Sequence, residues 1–137
     1  MEIRKFQKEL DEEKLMLLIK NEGQDWSCYW ADEFSAKYKD ALHNSITYVA
    51  YEGSVLCGYS RSIDDCGFYI YVCDLLVKPE YRGKNIGKKL MECIYKDYPD
   101  RIVYVMSDVD EYYEKQGFRR EGSIFEVIKT ARRKRGR

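Results

Sequence analysis

VKPEYRGKNIGK, residues 77–88, follows an apolar run and precedes an amphipathic one. The run from Ile70 to Val77 has the composition of a strand, and apolar residues recur at helical spacing from Ile86 to Ile94. A glycine- and cation-rich turn between a strand and a helix gathers free backbone N–H groups and the positive helix end around one small volume. Such a volume suits a pyrophosphate. The sequence therefore predicts a phosphate-binding turn in this segment.

Neither of two widespread phosphate loops matches this turn. A nucleoside triphosphatase loop requires G-x-x-x-x-G-K-[ST], and a dinucleotide fold requires G-x-G-x-x-G within a βαβ repeat; the chain contains neither. The residues from Arg82 to Gly87 read instead as [QR]-x-x-G-x-[GA], with Asn85 in place of the first glycine. Asn adopts left-handed backbone conformations more readily than other non-glycine residues, so the turn can still form.

The pattern along the rest of the chain predicts one α/β (α+β) domain covering residues 1–137, with no internal repeat. We expect a mixed, mostly antiparallel sheet with helices on both faces, in the order β-α-α-β-β-β-α-β-α-β-β. Strand 102–106 is fully apolar, which predicts a central buried position. The expected elements are strand 2–7, helix 11–21, helix 29–43, an antiparallel meander of strands 46–51, 55–62 and 68–78, helix 86–98, strand 102–106, helix 109–116 capped by Asp108 and ended by Gly117, and one or two closing strands from Phe118 onward, including 125–128.

Charge is distributed unevenly although the net charge is zero. Residues 129–137 carry six cations and no anion, which leaves 18 Lys and Arg against 24 Asp and Glu in the remainder. A basic tail on an acidic body can contact nucleic acid or an anionic surface. A solvated chain terminus is the simpler interpretation.

Cysteine usage indicates a reducing environment. The five cysteines, at positions 28, 57, 66, 73 and 93, are odd in number and form no C-x-x-C pair. Without a recognisable N-terminal signal pattern, free thiols in the cytoplasm are expected. No apolar run approaches the ~18 residues that a membrane span needs. His43 is the single histidine, so no metal site is expected.

Two blocks of sequence carry a family resemblance. DLLVKPEYRGKNIGKKLM (74–91) and YYEKQGF (112–118) together resemble the acetyl-CoA-binding and C-terminal motifs of the GCN5-related N-acetyltransferase (GNAT) superfamily. The predicted element order is also similar to that of the family, so the resemblance covers essentially the whole chain and is weakest before residue 46. It implies an enzyme that transfers an acetyl group from acetyl-CoA to a primary amine by direct attack in a ternary complex.

The resemblance implies where coenzyme A would bind. Its pyrophosphate is expected on the N–H groups of residues 83–88, with additional charge from basic side chains. Its pantetheine arm is expected to pair with main-chain groups where strand 70–77 splays away from strand 102–106. The expected cofactor-binding residues are Leu75, Leu76, Val77, Arg82, Gly83, Lys84, Asn85, Ile86, Gly87 and Lys88.

Three catalytic roles follow from the same resemblance. The N–H of Leu75 would polarise the acetyl carbonyl, and Tyr113 would protonate the departing thiolate, since a phenol is protonated at neutral pH. The family often has a Glu or His base at the positions of Tyr71 or Cys73, and this chain has neither. Asp74 is therefore the candidate base or amine anchor. The alternative is a structural carboxylate that pairs with a nearby Lys or Arg, in which case water removes the amine proton. Strict strand alternation would turn Asp74 away from those two residues, whereas a β-bulge would turn it inward.

The acceptor side is expected to combine aromatic rings with carboxylates, which suits a cationic or amphipathic amine. The candidate residues are Trp26, Tyr29, Trp30, Phe34, Asp64, Asp65, Tyr69 and Phe125, and core packing is the competing interpretation of the aromatic ones. Small-molecule and peptide amines both fit, and a homodimer is compatible with the sequence. Ser107 and Asp108 fall where the family often has an Asn that contacts coenzyme A.

Two other functions stay open at this point. The missing Glu or His on strand 70–77 is compatible with a coenzyme A-binding sensor or partner module that has little or no activity. The basic tail is compatible with an RNA- or ribosome-associated protein, although no RNA-binding aromatic motif supports it and nucleic acid is not expected as a partner.

Overall fold

The computed structural model describes residues 1–107 and 109–128. The predicted cap and cofactor contact at Asp108 and the basic tail 129–137 therefore lie outside the described residues. The chain divides into two compact units, Met1–Val105 and Met106–Arg137.

The first unit contains a sheet and four α-helices, and a short fifth helix lies in the second unit. In chain order these are β1 (Glu2–Lys5), α1 (Lys8–Glu22), α2 (Ser27–Trp30), α3 (Asp32–Asn44), β2 (Ile46–Glu52), β3 (Val55–Asp64), β4 (Tyr69–Val77), α4 (Ile86–Asp97), β5 (Ile102–Val105) and α5 (Asp110–Lys115), with 3-10 turns at Gln24–Trp26 and Pro79–Tyr81. The single helix predicted over 29–43 is interrupted at Ala31, whose ψ of 148° is extended rather than helical.

The sheet has the strand order β1-β2-β3-β4-β5. The first four strands pair antiparallel and β4 pairs with β5 in parallel, so the predicted meander is confirmed. The two layers of helices are confirmed as well. One apolar cluster packs α1 and α3 against one face of the sheet, and a second packs α4 against the other.

Two expectations about the C-terminal part of the sheet are wrong over the described residues. β5 is the last strand in the order rather than a central one, and Ile102 is 53% exposed. Residues 118–128, where closing strands including 125–128 were predicted, have no regular secondary structure, and Phe125 is 85% exposed. Apolar and β-branched content measures how well a segment fits a half-buried pleated surface, and it does not supply the partner strand that its backbone groups require.

A β-bulge in β4 reverses the side-chain alternation of that strand. Asp74 pairs with Arg61 and Val72 pairs with the next residue of β3, which leaves Cys73 as the extra residue. Val72 lies in the cluster under α4, whereas Leu76 lies in the cluster under α1 and α3. Strict alternation would keep all the even-numbered residues of β4 on one face. The bulge instead turns Asp74 to the face of the sheet that α1 and α3 cover. Of the two alternatives that the sequence left open for Asp74, strict alternation and a β-bulge, the bulge is the one observed.

Candidate active site

The glycine-rich turn forms as the sequence predicted. After β4 ends, the chain makes a short 3-10 turn at Pro79–Tyr81 and reaches α4 through two left-handed positions, Gly83 (φ 83°) and Asn85 (φ 63°). Gly adopts this conformation without a Cβ penalty, and Asn does so more easily than other side chains. The left-handed residue expected at position 85 is thereby confirmed.

The first turn of α4 presents N–H groups that no carbonyl of the helix accepts. The helix starts with the bond from the Lys89 N–H to the Asn85 carbonyl, 3.0 Å long. The N–H groups of Ile86, Gly87 and Lys88 consequently have no intrahelical acceptor, and the Asn85 side chain does not cap them. Such a helix end attracts anions through both its N–H groups and its dipole.

Gly58 on β3 lets this helix end sit close to the sheet. A Cβ at Gly58 would lie 3.1 Å from the Leu76 carbonyl oxygen and 3.4 Å from Cγ2 of Ile86. The first position of α4 therefore packs directly on β3 and β4, which places its N-terminus beside the end of β4.

The cations of the turn do not all point to the same place. The Arg82 guanidinium donates to the Val77 carbonyl (Nε to O, 2.9 Å) and to Glu22 of α1 (Nη2 to Oε1, 2.8 Å). Arg82, which the sequence predicts as a cofactor-binding residue, is therefore already bonded to Val77 and Glu22 in this structure. The Lys84 ammonium lies 5.2 Å from the centre of the Tyr81 ring, and Lys84 is exposed. Arg82 ties the turn to α1.

β4 continues past the end of its ladder with β5. Pairing runs from Tyr69 with Ile102 to Val72 with Val105, so Cys73–Val77 extends beyond it. The Lys78 N–H donates to the Cys57 carbonyl of β3 at 2.7 Å. This bond shows which backbone N–H and C=O groups of β4 point towards β3. Because these groups alternate along a strand, those of Leu75 and Val77 point away from β3. The N–H of Leu75 thus faces the side of β4 where β5 pairing has ended.

Asp74 lies at the centre of a buried polar network. Its Oδ2 accepts from the Arg61 Nε at 2.6 Å and from the Tyr38 hydroxyl at 2.7 Å, and its Oδ1 accepts from the Tyr29 hydroxyl at 2.8 Å. The Tyr38 and Tyr59 hydroxyl oxygens are 2.7 Å apart. Since Tyr38 gives its one proton to Asp74, Tyr59 donates to Tyr38. The donors come from α2, α3 and β3 and surround a residue that is 5% exposed.

Electrostatics keeps the three phenols and the guanidinium of this network protonated. Burial raises the pKa of Tyr29, Tyr38 and Tyr59, and the negative charge of Asp74 raises each further. Burial alone would lower the pKa of Arg61, but the attraction of Asp74 outweighs it and the pKa is raised. The three phenols therefore remain donors and the guanidinium remains charged.

Most of the predicted acceptor residues have structural partners. Trp26, Tyr29 and Trp30 pack against the cluster under α1 and α3, and the Trp30 indole donates to the Gly23 carbonyl at 3.0 Å. The Asp65 carboxylate accepts three N–H bonds within the β3–β4 connection. These contacts support the core-packing interpretation of these aromatic residues and give Asp65 the role of a loop cap.

Of the other expected acceptor residues, Asp64 is paired with Arg101, whereas Phe34 is exposed.

Three tyrosines of β4 and β5 lie close together on the sheet. The Tyr69 and Tyr104 rings stack with centroids 5.3 Å apart, and the Tyr71 ring lies 5.8 Å from that of Tyr104. Only Tyr69 was expected at the acceptor side. No local pattern announces this group, because it depends on the register of a parallel strand pair whose members are distant in sequence.

The second unit shows how the Y-x-x-x-G-F motif folds. Gly117 ends α5 in a left-handed conformation (φ 84°), as predicted, and the Phe118 N–H then donates to the Tyr113 carbonyl at 3.1 Å. The Phe118 ring stacks on the Tyr113 ring, with centroids 6.1 Å apart. The Tyr112 ring stands almost perpendicular to that of Tyr113. Ser107 accepts from the Val109 N–H, so its hydroxyl orders the start of this unit.

Within residues 1–107 and 109–128, the His, Cys, Asp and Glu side chains form no group of three or more that could hold a metal ion. In that same part of the chain, each helix is too short or too polar to cross a bilayer.

Comparison with protein families identifies the class of protein to which this fold and turn belong. A family model described as "Acetyltransferase (GNAT) domain" matches residues 43–120. This span contains β2 to β5, the glycine-rich turn, α4 and the Y-x-x-x-G-F motif. The chain therefore belongs to the GNAT family of acetyltransferases, which use acetyl-CoA.

Individual relatives match only part of the chain. The chain is 32% identical to GCN5-related N-acetyltransferase 2, chloroplastic, of Arabidopsis thaliana over 68 residues, which is 46% of this chain and 26% of that protein. The chain thus spans about a quarter of the length of that relative. It is also 26% identical, over 99 residues, to an uncharacterized N-acetyltransferase, ycf52, of Gracilaria tenuistipitata var. liui. That match covers 65% of this chain and 54% of the relative.

Solved structures match over almost the whole chain. A GNAT-family acetyltransferase from Streptococcus pneumoniae superimposes with a TM-score of 0.71 at 24% identity, covering 93% of this chain and 98% of that one. AAC(6')-Iy, in complex with the bisubstrate analog CoA-S-monomethyl-acetylneamine, superimposes with a TM-score of 0.73 at 17% identity, covering 93% and 97%. At these identities the two structures show the shared fold.

Proposed function

We propose that this protein is an acetyl-CoA-dependent N-acetyltransferase that moves an acetyl group to a primary amine by direct attack in a ternary complex. The observation that carries the proposal is the passage of β4 beyond its ladder with β5, directly into the glycine-rich turn and the start of α4. Family membership supports the reaction class. The complex of AAC(6')-Iy with a coenzyme A-containing analog supports the use of this cofactor by a protein of the same fold.

The residues at the turn fit a coenzyme A pyrophosphate. The N–H groups of Ile86, Gly87 and Lys88 lack intrahelical acceptors, and the side of Gly83 that a Cβ would occupy is open. We assign the pyrophosphate to these groups, together with the N–H groups of Lys84 and Asn85 and the Lys84 and Lys88 ammonium groups. The Leu75 backbone and the Val77 N–H would bind the pantetheine arm, whereas the backbone groups of Leu76, also expected to bind it, face β3. Bound acetyl-CoA supplies the thioester that the amine attacks.

The chain contributes orientation and charge stabilisation. The Leu75 N–H is the proposed donor to the acetyl oxygen as negative charge develops there, and removing a donor of this kind typically costs about 10²- to 10³-fold in kcat. Tyr113 is the proposed proton donor to the thiolate, a role that rests on the Y-x-x-x-G-F motif. Asp74 was the candidate base or amine anchor, but three donors already occupy its oxygens. We therefore assign removal of the amine proton to water.

We further propose that residues 1–137 act as one acetyltransferase domain in the cytoplasm, where the five free cysteines stay reduced. The acceptor is proposed to be a small-molecule or peptide amine. The tyrosine group of Tyr69, Tyr71 and Tyr104 supports a cationic or planar acceptor, because ring faces attract both.

A coenzyme A-binding sensor of the same fold is the second candidate. The occupied oxygens of Asp74 favour it, because β4 then offers no carboxylate that is free to accept a proton. Both candidates bind acetyl-CoA, but only the enzyme transfers its acetyl group. An assay that measures both acetyl-CoA binding and acetyl transfer therefore separates them.

The test measures thiol release from acetyl-CoA with a panel of small amines and peptides, alongside acetyl-CoA affinity by calorimetry. For the enzyme we expect turnover with at least one amine, and Tyr113→Phe should lower kcat by about 10²-fold while leaving acetyl-CoA affinity unchanged. Tyr112→Phe is the matched control and should keep kcat within about threefold of wild type. Tight acetyl-CoA binding without turnover on any amine would identify the sensor.

A further inference from the structure

Within residues 1–107 and 109–128, the part of β4 that holds Leu75 pairs with β3 and has no partner strand on its other side. Pairing with β5 ends at Val72, and pairing with β3 is interrupted by the bulge at Cys73. A bulge leaves its extra residue unpaired and disturbs the ladder locally. The N–H of Leu75 also points away from β3, so that strand does not hold it by a hydrogen bond. By the same alternation the Asp74 carbonyl, which belongs to the same peptide group, faces β3. The direction of the Leu75 N–H therefore depends on where the bulge places Asp74.

Asp74 is placed to restrain that direction. The Leu75 N–H belongs to the peptide group that begins at the carbonyl carbon of Asp74, so the two residues share one rigid plane. The Asp74 carboxylate is held by Tyr29 from α2, Tyr38 from α3 and Arg61 from β3. Donors from three elements leave the side chain little freedom to rotate, and through its Cα they restrain the following peptide plane.

A second buried cluster, which also joins an Asp to an Arg and a Tyr, lies elsewhere in the fold. The Asp11 carboxylate accepts two bonds from Arg4 at 2.7 and 2.8 Å, one from the Tyr51 hydroxyl at 2.6 Å and one from the Gln7 N–H at 2.7 Å. It is 0% exposed and joins α1 to β1 and β2. Both clusters stabilise the fold, but the Asp11 cluster has no contact with β4 among these bonds.

We propose that Asp74 is a positioning residue, whose buried network with Arg61, Tyr29 and Tyr38 holds the peptide plane of Leu75 in the direction that acetyl transfer requires. This inference rests on the proposed function. It differs from a role as base, because Asp74 then moves no proton and its removal affects the rate equally at every pH.

The experiment compares Asp74→Asn with Asp11→Asn in the full chain. Urea unfolding first establishes that each variant is folded. The backbone 1H–15N resonance of Leu75 then reports on its peptide plane, and kcat, acetyl-CoA KM and the pH–rate profile report on catalysis. Each substitution keeps the shape of the side chain and turns an acceptor into a donor within its cluster.

We expect both variants to be less stable than wild type, and only Asp74→Asn to shift or broaden the Leu75 resonance. Asp74→Asn should lower kcat by about 10- to 100-fold, because small misplacements of aligned groups have large effects on rate. The KM for acetyl-CoA should change by less than about threefold. The shape of the pH–rate profile should be the same as in wild type. Asp11→Asn should leave the resonance and kcat as in wild type.

Two results overturn the inference. One is an equal effect of the two variants on the Leu75 resonance and kcat, and the other is loss of the acidic limb of the pH profile in Asp74→Asn, which would make Asp74 a base. If Asp74→Asn does not fold, Tyr29→Phe removes a single donor and is judged by the same measurements. If wild type acetylates no amine, the proposed function fails, while the Leu75 resonance still tests the positioning role.

Discussion

The Arg82 guanidinium donates to the Glu22 carboxylate at 2.8 Å, so the phosphate-binding turn is joined to the end of α1. Half of the Arg82 side chain is exposed, and an exposed pair of this kind contributes only about 0–1 kcal/mol to stability. The pair also neutralises a cation beside the α4 N-terminus. Its principal effect should therefore be on anion binding.

Glu22→Gln should accordingly strengthen acetyl-CoA binding. Releasing Arg82 raises the positive potential at the turn, and we expect the Kd to fall by about two- to threefold at low salt and the difference to shrink at high salt. Calorimetry at two ionic strengths measures this. Glu9→Gln, on the exposed first turn of α1, removes the same charge as a control. Equal changes in Kd for the two variants would contradict a local effect.

Position 85 should tolerate glycine and reject alanine. Asn85 has a φ of 63°, and the left-handed region costs an ordinary L-residue roughly 1–2 kcal/mol. Asn85→Ala is thus expected to lower the free energy of unfolding by about 1 kcal/mol, whereas Asn85→Gly should change it by less than about 0.5 kcal/mol. Urea denaturation distinguishes them, and the expectation fails if alanine is as stable as glycine.

Gly58→Ala should disturb the seating of α4. The new Cβ would lie 3.1 Å from the Leu76 carbonyl oxygen, a backbone atom that cannot rotate away. Overpacking of this kind costs about 1–3 kcal/mol. Gly122→Ala is the matched control, since a Cβ there meets nothing within 4 Å. Thermal unfolding is the measurement, and identical midpoints for the two variants would show that the close approach has no energetic consequence.

Acid should remove the contribution of Asp11. Burial raises the pKa of this carboxyl, but hydrogen bonds from Arg4 and Tyr51 outweigh burial and lower it overall. A carboxyl whose pKa is lower in the folded state stabilises the fold above its unfolded pKa of about 3.9, and this stability is lost as pH falls through the folded pKa.

The free energy difference between wild type and Asp11→Asn should therefore be about 3 kcal/mol near neutrality and shrink below pH 4. Urea denaturation from pH 7 to pH 3 tests this. A difference that stays constant across the range would mean that the ionised form of Asp11 is not what the cluster stabilises.

Local patterns predicted most elements of this protein. The meander, α4 and the left-handed position at Asn85 depend on residue types and spacings within a few positions. The start of α1 was placed at Asp11 and lies instead at Lys8. Asp11 looks like a helix cap in the sequence, but its carboxylate is held by Arg4 and Tyr51 in the core.

The prediction of closing strands was wrong because local sequence does not specify a partner strand. Residues 118–128 have apolar content typical of strands, and in the described part of the chain they lack regular secondary structure. A strand is defined by its partner, and apolar content carries no information about which edge is available to pair.

The amino-acid order alone determined the glycine-rich turn, the helix after it and the Y-x-x-x-G-F reversal, because φ preferences and helical periodicity act over a few residues. The tertiary structure alone decided that Asp74 faces α2 and α3 and that Arg82 binds Glu22. Those outcomes depend on a bulge in strand register and on a pair of residues 60 positions apart. Burial and packing across the sheet select such contacts, and no local preference encodes them.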